Sequence, residues 1–207
     1  MRFQVTPDHY SQNYDTKERF CSYWHQIQEI TTCNPKTVLE IGIGNGFVSE
    51  YLRKTGFNVT TSDLDGRLHP NVASTVLNIP FAEAAFDVVA CFELLEHLPF
   101  EKFENAIKEM RRVSVSFVIL SIPESTQAYR LLLQLPKIGE FKKLLTIPAL
   151  KKPEHSFDGQ HYWEIGKAGY SLKRILAGFA MAGLNVKRTY RVFEFPYHRF
   201  FVLEKIR

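Results

Sequence analysis

A chain of 207 residues, 45% apolar and 14% aromatic, fits one domain spanning 1–207 with a substantial core and excludes a disordered segment. Its longest apolar-rich strip, Val113 to Ile122, is half the length a bilayer span needs; Met1 to Tyr10 holds no apolar signal core, so a cytoplasmic protein is expected. The net charge of +4 belongs to 131–152, where five lysines accompany one acid, Glu140, and the neutral remainder argues against a nucleic-acid partner.

In chain order, Asp8 to Ile30 places Tyr10, Tyr14, Phe20, Tyr23, Trp24, Ile27 and Ile30 at helical spacing. This predicts one or two helices packed on the outside, a helical cap over 1–34 that Pro35 ends. Thr37 to Ile41 reads as a strand, followed by a helix from about Gly46 to Lys54 that Gly56 stops. Asn58 to Ser62 alternates and closes on Asp63 as a second strand, and a weak third lies near Ala73 to Leu77. Phe86 to Phe92 is a continuous apolar run of the kind buried on both faces. Cys91 within it reads as a small core residue, and with Cys21 and Cys33 it forms neither a disulfide framework nor a zinc spacing. Pro99 opens a helix to about Arg112, and Val115 to Ile122 is a strand stopped by Pro123. After a long interval Ser171 caps a helix ending near Gly183; strands near Asn185 to Phe193 and His198 to Glu204 close the chain. Alternating strands and helices, then two strands on a short link, predict an α/β, Rossmann-like, mostly parallel sheet with a C-terminal antiparallel hairpin.

The run Val38-Leu39-Glu40-Ile41-Gly42-Ile43-Gly44-Asn45-Gly46 carries the most information. Glycines at alternate positions between a strand and a helix let the backbone turn tightly and come close to a small ligand. A dinucleotide fingerprint would need a third glycine at position 47, which is Phe47. Glu40 would also repel a pyrophosphate, whereas it suits an ammonium or a sulfonium-bearing amino acid. The stretch resembles motif I of the class I S-adenosylmethionine-dependent methyltransferases, of the small-molecule, type 11-like kind.

That resemblance spans roughly Lys36 to Ser125 and, more loosely, Gln160 to Lys205, and implies a seven-stranded sheet with helices on both faces and S-adenosyl-L-methionine as cofactor. Glu40, Gly42, Ile43, Gly44 and Gly46 would form the first binding loop. Asp63, 21 residues after Gly42, would accept from both ribose hydroxyls, Leu64 would cover the adenine, and Asp65 would act as a cap. The junction Leu77-Asn78-Ile79-Pro80-Phe81 followed by Phe86-Asp87 is similar to the loop that closes over the adenine. Many relatives carry an aspartate where Thr75 stands, so Asn78 either supplies an amide in its place or is a plain turn residue. Phe92-Glu93-Leu94-Leu95-Glu96-His97-Leu98 resembles the stretch beside the methionine end, with Phe92 against the cofactor and His97 either at the acceptor or structural.

In similar enzymes the interval after the fifth strand, here 124–169, is a lid over the acceptor. Its first half mixes leucines and lysines, is broken by Pro136 and Pro148, and reads as an anion-attracting lid, a peripheral membrane contact through 131–152 or a solvated amphipathic helix pair. Its second half holds His155, Asp158, His161, Tyr162 and Glu164, a spacing that fits no metal signature. His161 is the first candidate general base and His97 the second; a capping or tethering role for His161 stands beside the catalytic one. Tyr10, Tyr14, His155 and Tyr162 are the acceptor-side candidates. The expected reaction is methyl transfer to a small-molecule, glycan or lipid-linked acceptor, at oxygen. An RNA methyltransferase or a non-catalytic S-adenosylmethionine-binding protein are the alternatives.

Overall fold

The computed structural model describes residues 6–10, 14–147 and 151–206. The elements are α1 (Lys17–Thr32), β1 (Thr37–Ile41), α2 (Phe47–Lys54), β2 (Asn58–Asp63), β3 (Val72–Ala73), β4 (Phe86–Phe92), α3 (Phe103–Val113), β5 (Ser114–Pro123), β6 (Ala128–Leu135), β7 (Gly139–Thr146), α4 (Leu172–Met181), β8 (Leu184–Arg191) and β9 (His198–Lys205). Seven strands make one sheet in the order β3-β2-β1-β4-β5-β9-β8, parallel as far as β5 and antiparallel at β9. The strand order reverses between β1 and β4, and this switch opens a crevice beyond their carboxyl ends.

Strand alternation divides the core into two layers. Leu39, Ile41, Val89, Cys91, Val118, Leu120, Phe201 and Leu203 face α3 and α4, where Phe103, Ile107, Met110 and Phe179 are buried. Val38, Val88, Ala90, Ile119, Phe200 and Val202 face the other way, onto Tyr23 and Ile30 of α1 and Val48 and Leu52 of α2. Both faces of the central strands are therefore dry, which is why β4 reads as an unbroken apolar run. Polar contacts fix α1 on the sheet: Glu29 is buried, pairs with Arg188 and accepts from the Tyr190 hydroxyl at 2.7 Å. Ser22 meets Nδ1 of His198 at 2.8 Å in the same layer. Thr16 caps α1 and Ser171 caps α4, as the sequence predicts for Ser171.

Two expectations are corrected. β3 is Val72–Ala73 rather than Ala73 to Leu77, because the chain turns away after it: the Asn78 N–H donates to the Thr75 carbonyl at 3.0 Å. The leucine-and-lysine segment is a two-stranded antiparallel hairpin, not a helix pair. Its apolar residues recur at 129, 131, 133 and 135, a period of two, and Pro136 falls in the turn. Pro148 lies outside the described residues, as do the first five residues of the expected N-terminal cap.

The insertion closes on itself at its base. Ser125 N–H donates to the Ile165 carbonyl at 2.9 Å, and Ile165 N–H to the Pro123 carbonyl at 3.0 Å. Trp163 then drives into the core, fully buried, its indole N–H donating to the Leu98 carbonyl at 3.0 Å and its ring edge-on to Phe100 and Phe103. A tryptophan placed there ties the end of the insertion to the loop after β4. Trp163→Ala is expected to lower the unfolding free energy by about 3–5 kcal/mol, read from urea denaturation; a loss below 1 kcal/mol would mean that the insertion folds without this anchor.

Candidate functional site

At the switch point lies a cavity of about 1110 Å³, lined from the loops after β1, β2 and β4, from α1, and from the second half of the insertion. The loop after β1 turns through Gly42 (φ +79°), Gly44 (φ +55°) and Gly46 (φ +75°), backbone that side chains rarely adopt. At Gly42 a Cβ would also meet Leu94 Cδ1 at 2.4 Å, so that residue fits only as glycine. Gly46 is the residue before α2 and its N–H donates to the Ile43 carbonyl at 2.8 Å. It shapes the turn and is not among the lining residues.

Asp63 ends β2 and joins two loops. One carboxylate oxygen accepts the Ile43 N–H at 2.9 Å, the other accepts the Asp65 N–H at 2.8 Å. Burial raises its pKa while those backbone donors oppose the rise. Asp65 caps the short 3₁₀ turn that follows, accepting the Arg67 N–H at 3.0 Å, as expected. Leu64, Thr75, Leu77 and Phe92 line the cavity. Asn78 is exposed, lies outside the lining and sits in the turn that its N–H closes onto the Thr75 carbonyl.

Glu40 is buried at the head of the glycine loop, with one oxygen lacking a hydrogen-bond partner among the described residues. Burial pushes its carboxyl up to about 8. Glu93, at the tip of β4, holds a left-handed backbone (φ +47°) and likewise has a buried oxygen without a partner. Burial raises it to about 7, and raises Glu96 well above the carboxylate range, the Glu93 charge adding to that rise. A carboxylate with a buried oxygen that lacks a partner is costly to ionise unless a cation approaches it. The arrangement of these three acids suits a positively charged guest.

α1 supplies the opposite wall. Arg19, Tyr23 and Gln26 line the cavity, and Arg19 Nη1 donates to the Tyr14 hydroxyl at 3.0 Å with its guanidinium 3.9 Å above the Tyr14 ring. Asn45 locks this wall to the glycine loop: Nδ2 donates to Asp15 at 3.0 Å and to the Tyr23 hydroxyl at 3.2 Å. Tyr10 and Tyr14 both reach the cavity as expected, edge-on to each other, with Tyr10 against Gly44. Arg19, Gln26, Glu93 and Lys102 were not anticipated. Arg19, Tyr23 and Gln26 do follow a four-then-three spacing, one stripe of a helix, and that stripe was the available signal.

The histidines separate into two roles. His97 lines the cavity, and Nδ1 sits 3.0 Å from the Gln160 carbonyl oxygen, which holds the ring proton on that nitrogen and makes Nε2 the basic one. Burial and the neighbouring His161 lower its pKa to about 4, so the ring is neutral at physiological pH. His161 stands behind His97, edge-on at 5.0 Å, and is not a lining residue. Its Nδ1 lies 3.2 Å from Glu164 and 3.3 Å from the Tyr197 hydroxyl, its N–H donates to Asp158, and its carbonyl meets His155 Nε2 at 2.8 Å. Nor does it open a helix, the next being α4. His161 and His155 thus tether the insertion, while Tyr162 reaches the cavity and donates its N–H to the Glu96 carbonyl at 2.8 Å. Ligand atoms of Glu96, His97 and His161 lie within 4.8 Å of one another, as do those of Asp158, His161 and Glu164, spacings that a cation could bridge.

Residues 39–116 match a family model described as a methyltransferase domain. The chain is similar to the ubiquinone biosynthesis O-methyltransferase of Hydrogenovibrio crunogenus, 35% identical over 88 residues that cover 35% of this chain and 36% of the relative. The Pseudomonas aeruginosa protein of that name is 39% identical over 79 residues, covering 31% and 34%. The match thus spans about a third of the length of these curated relatives. Among solved structures, an S-adenosylmethionine-dependent methyltransferase from Clostridium acetobutylicum superposes with a TM-score of 0.61 at 10% identity, over 94% of both chains. The magnesium protoporphyrin IX methyltransferase of Synechocystis with bound S-adenosylmethionine superposes with a TM-score of 0.58 at 15% identity, over 95% of this chain and 87% of that one. Over residues 39–116 the chain is thus similar to a methyltransferase domain, and its seven-stranded sheet shares the fold of S-adenosylmethionine-dependent methyltransferases of known structure.

Proposed function

We propose that the protein transfers a methyl group from S-adenosylmethionine to an oxygen of a small-molecule or lipid-linked acceptor. The observation that carries the reading is a single cavity holding the Asp63 carboxylate, which ties two loops, beside Glu40 and Glu93, each with one buried oxygen that has no hydrogen-bond partner among the described residues. Asp63 would take the ribose hydroxyls, the 42–44 loop would lie against the ligand's backbone-facing side, and Glu40 would answer its ammonium. Bound there, S-adenosylmethionine supplies a methyl group already activated on a sulfonium. The chain itself has to exclude water, hold the acceptor oxygen in line and remove its proton.

The proton falls to His97 rather than to His161. His97 is neutral, faces the cavity and is oriented by Gln160; His161 and Glu164 behind it hold that orientation. Tyr14, Phe157 and Tyr162 wall the same space on the acceptor side. The O-methyltransferase names of the matched relatives support an oxygen acceptor, over the third of their length that is shared.

Asp63→Ala is expected to weaken S-adenosylmethionine binding tenfold or more, about 1.4 kcal/mol, by calorimetry; wild-type affinity in that variant would refute the ribose assignment. His97→Ala is expected to lower transfer of labelled methyl into a cell-extract acceptor by ~10²–10⁴-fold with cofactor affinity unchanged, and His161→Ala to cost less. The reverse ranking would move the base to His161.

Glu40 titrates at about 8 when folded, above its ordinary value, so its protonated form contributes stability at low pH that is lost as pH rises through 8. A cationic guest that ionises it must release a proton at pH 7. Calorimetry of S-adenosylmethionine binding should therefore give apparent enthalpies that differ between phosphate and Tris buffers, and Glu40→Gln should remove most of the difference. Equal enthalpies for the unaltered protein would contradict the assignment.

A further inference from the structure

The β6–β7 hairpin has no place in the binding site. Its strands pair from Ala128–Thr146 to Leu135–Gly139, and neither has another ladder partner among the described residues. Eight residues per strand make an arm about 27 Å long. Because directly paired residues share a face, the two faces can be read from the register. One carries Arg130, Leu132, Gln134, Glu140, Lys142 and Leu144; the other carries Tyr129, Leu131, Leu133, Leu135, Phe141 and Leu145, with Lys143 among them.

The first face touches the body at Glu194 and is otherwise largely exposed, Leu132 at 50%. Arg130 Nη1 donates to the Glu194 carbonyl at 3.0 Å, Lys142 Nζ to the Glu194 carboxylate at 3.1 Å, and Lys142 also pairs with Glu140 at 2.9 Å. The only acid of the arm therefore lies on this face, exposed and paired with Lys142. The second face keeps six apolar side chains between 41% and 54% exposed, and Ile138 at the turn is 80% exposed. Its charges are Lys143 and, at the turn, Lys137; exposed Lys151 and Lys152 follow the arm in the chain. A continuous apolar ladder of this length on a solvent-facing surface marks an interaction site.

We propose that this face is a docking surface for an anionic lipid bilayer, the leucine ladder and Ile138 entering the headgroup boundary and the lysines meeting lipid phosphates. Charge complementarity selects this occupant: the outward face is cationic with no acid, so a second copy would set lysine against lysine, whereas anionic lipid answers it. The surface stands independently of the proposed methyl transfer. The base of the arm and the cavity-lining Phe157, Gly159 and Tyr162 belong to one insertion, which would bring the cavity to the membrane.

The test is co-sedimentation of the full chain with phosphatidylcholine vesicles with and without 30% phosphatidylglycerol, a readout that needs neither cofactor nor turnover. Partition into the anionic vesicles should be at least tenfold higher, should fall as salt rises, and should drop at least tenfold in Leu131→Ser/Leu133→Ser and in Lys137→Glu/Lys143→Glu. Both variants should keep the wild-type circular dichroism and S-adenosylmethionine affinity, so that lost partition reports the surface and not the fold. No partition into anionic vesicles, or equal partition into neutral ones, would overturn the proposal. So would a lipid-free dimer in sedimentation velocity that Leu131→Ser/Leu133→Ser turns into a monomer, which would assign the face to a second copy.

Discussion

One carboxylate fixes the separation of the two loops that make the site. Asp63 accepts the Ile43 N–H with one oxygen and the Asp65 N–H with the other, so the turns after β1 and β2 are set relative to a single side chain. The parallel register beneath, Ile41 opposite Ser62, places both turns at the same edge of the sheet. Asn45 extends the lock to α1 through Asp15 and Tyr23, and α1 is itself held on the sheet by Glu29 and Ser22. The walls supplied by the turns after β1 and β2 and by α1 thus rest on a short chain of directed polar contacts, while dry packing on both sheet faces keeps the strands in place.

Within that frame the charge distribution is unusual. Glu40 and Glu96 are buried and Glu93 is half-buried, and each has an oxygen without a hydrogen-bond partner among the described residues. Burial raises all three, and neighbouring carboxylates add to the rise. In an empty pocket they are best protonated; a cation entering it gains from their ionisation. The left-handed backbone at Glu93 is a further cost that packing alone does not require, and it aims the residue at the cavity. The same strain-and-burial logic explains why the glycine loop cannot be replaced at Gly42, where Leu94 occupies the space a side chain would need.

The insertion divides its work between two ends. Trp163, Ser125 and Ile165 bind its closing end to the core, and His161 with His155, Asp158, Glu164 and Tyr197 forms a polar knot behind His97. The other end stands away from the body as a hairpin that touches it through Glu194. One segment therefore joins the pocket wall to an exposed apolar ladder.

The strand tips were legible from residue order because their constraints are local. Alternating glycines must turn, an acid at a strand end faces the crevice, and an apolar run bounded by breakers is a buried strand; β1 and β4 accordingly have the predicted bounds. The roles of the histidines were not legible, since ring orientation depends on Gln160, Glu164 and Tyr197, one of them 36 residues from His161. The leucine-and-lysine segment was ambiguous for a different reason: a period of two is decisive only once a partner strand sets the register. Sequence by itself determined the fold class, the glycine loop and the Asp63 position, all fixed by neighbours along the chain. Tertiary structure alone decided that His97 faces the cavity, that α1 supplies Arg19 and Gln26, and that Arg130 and Lys142 of the arm meet Glu194, because each depends on which distant residue fills the space alongside.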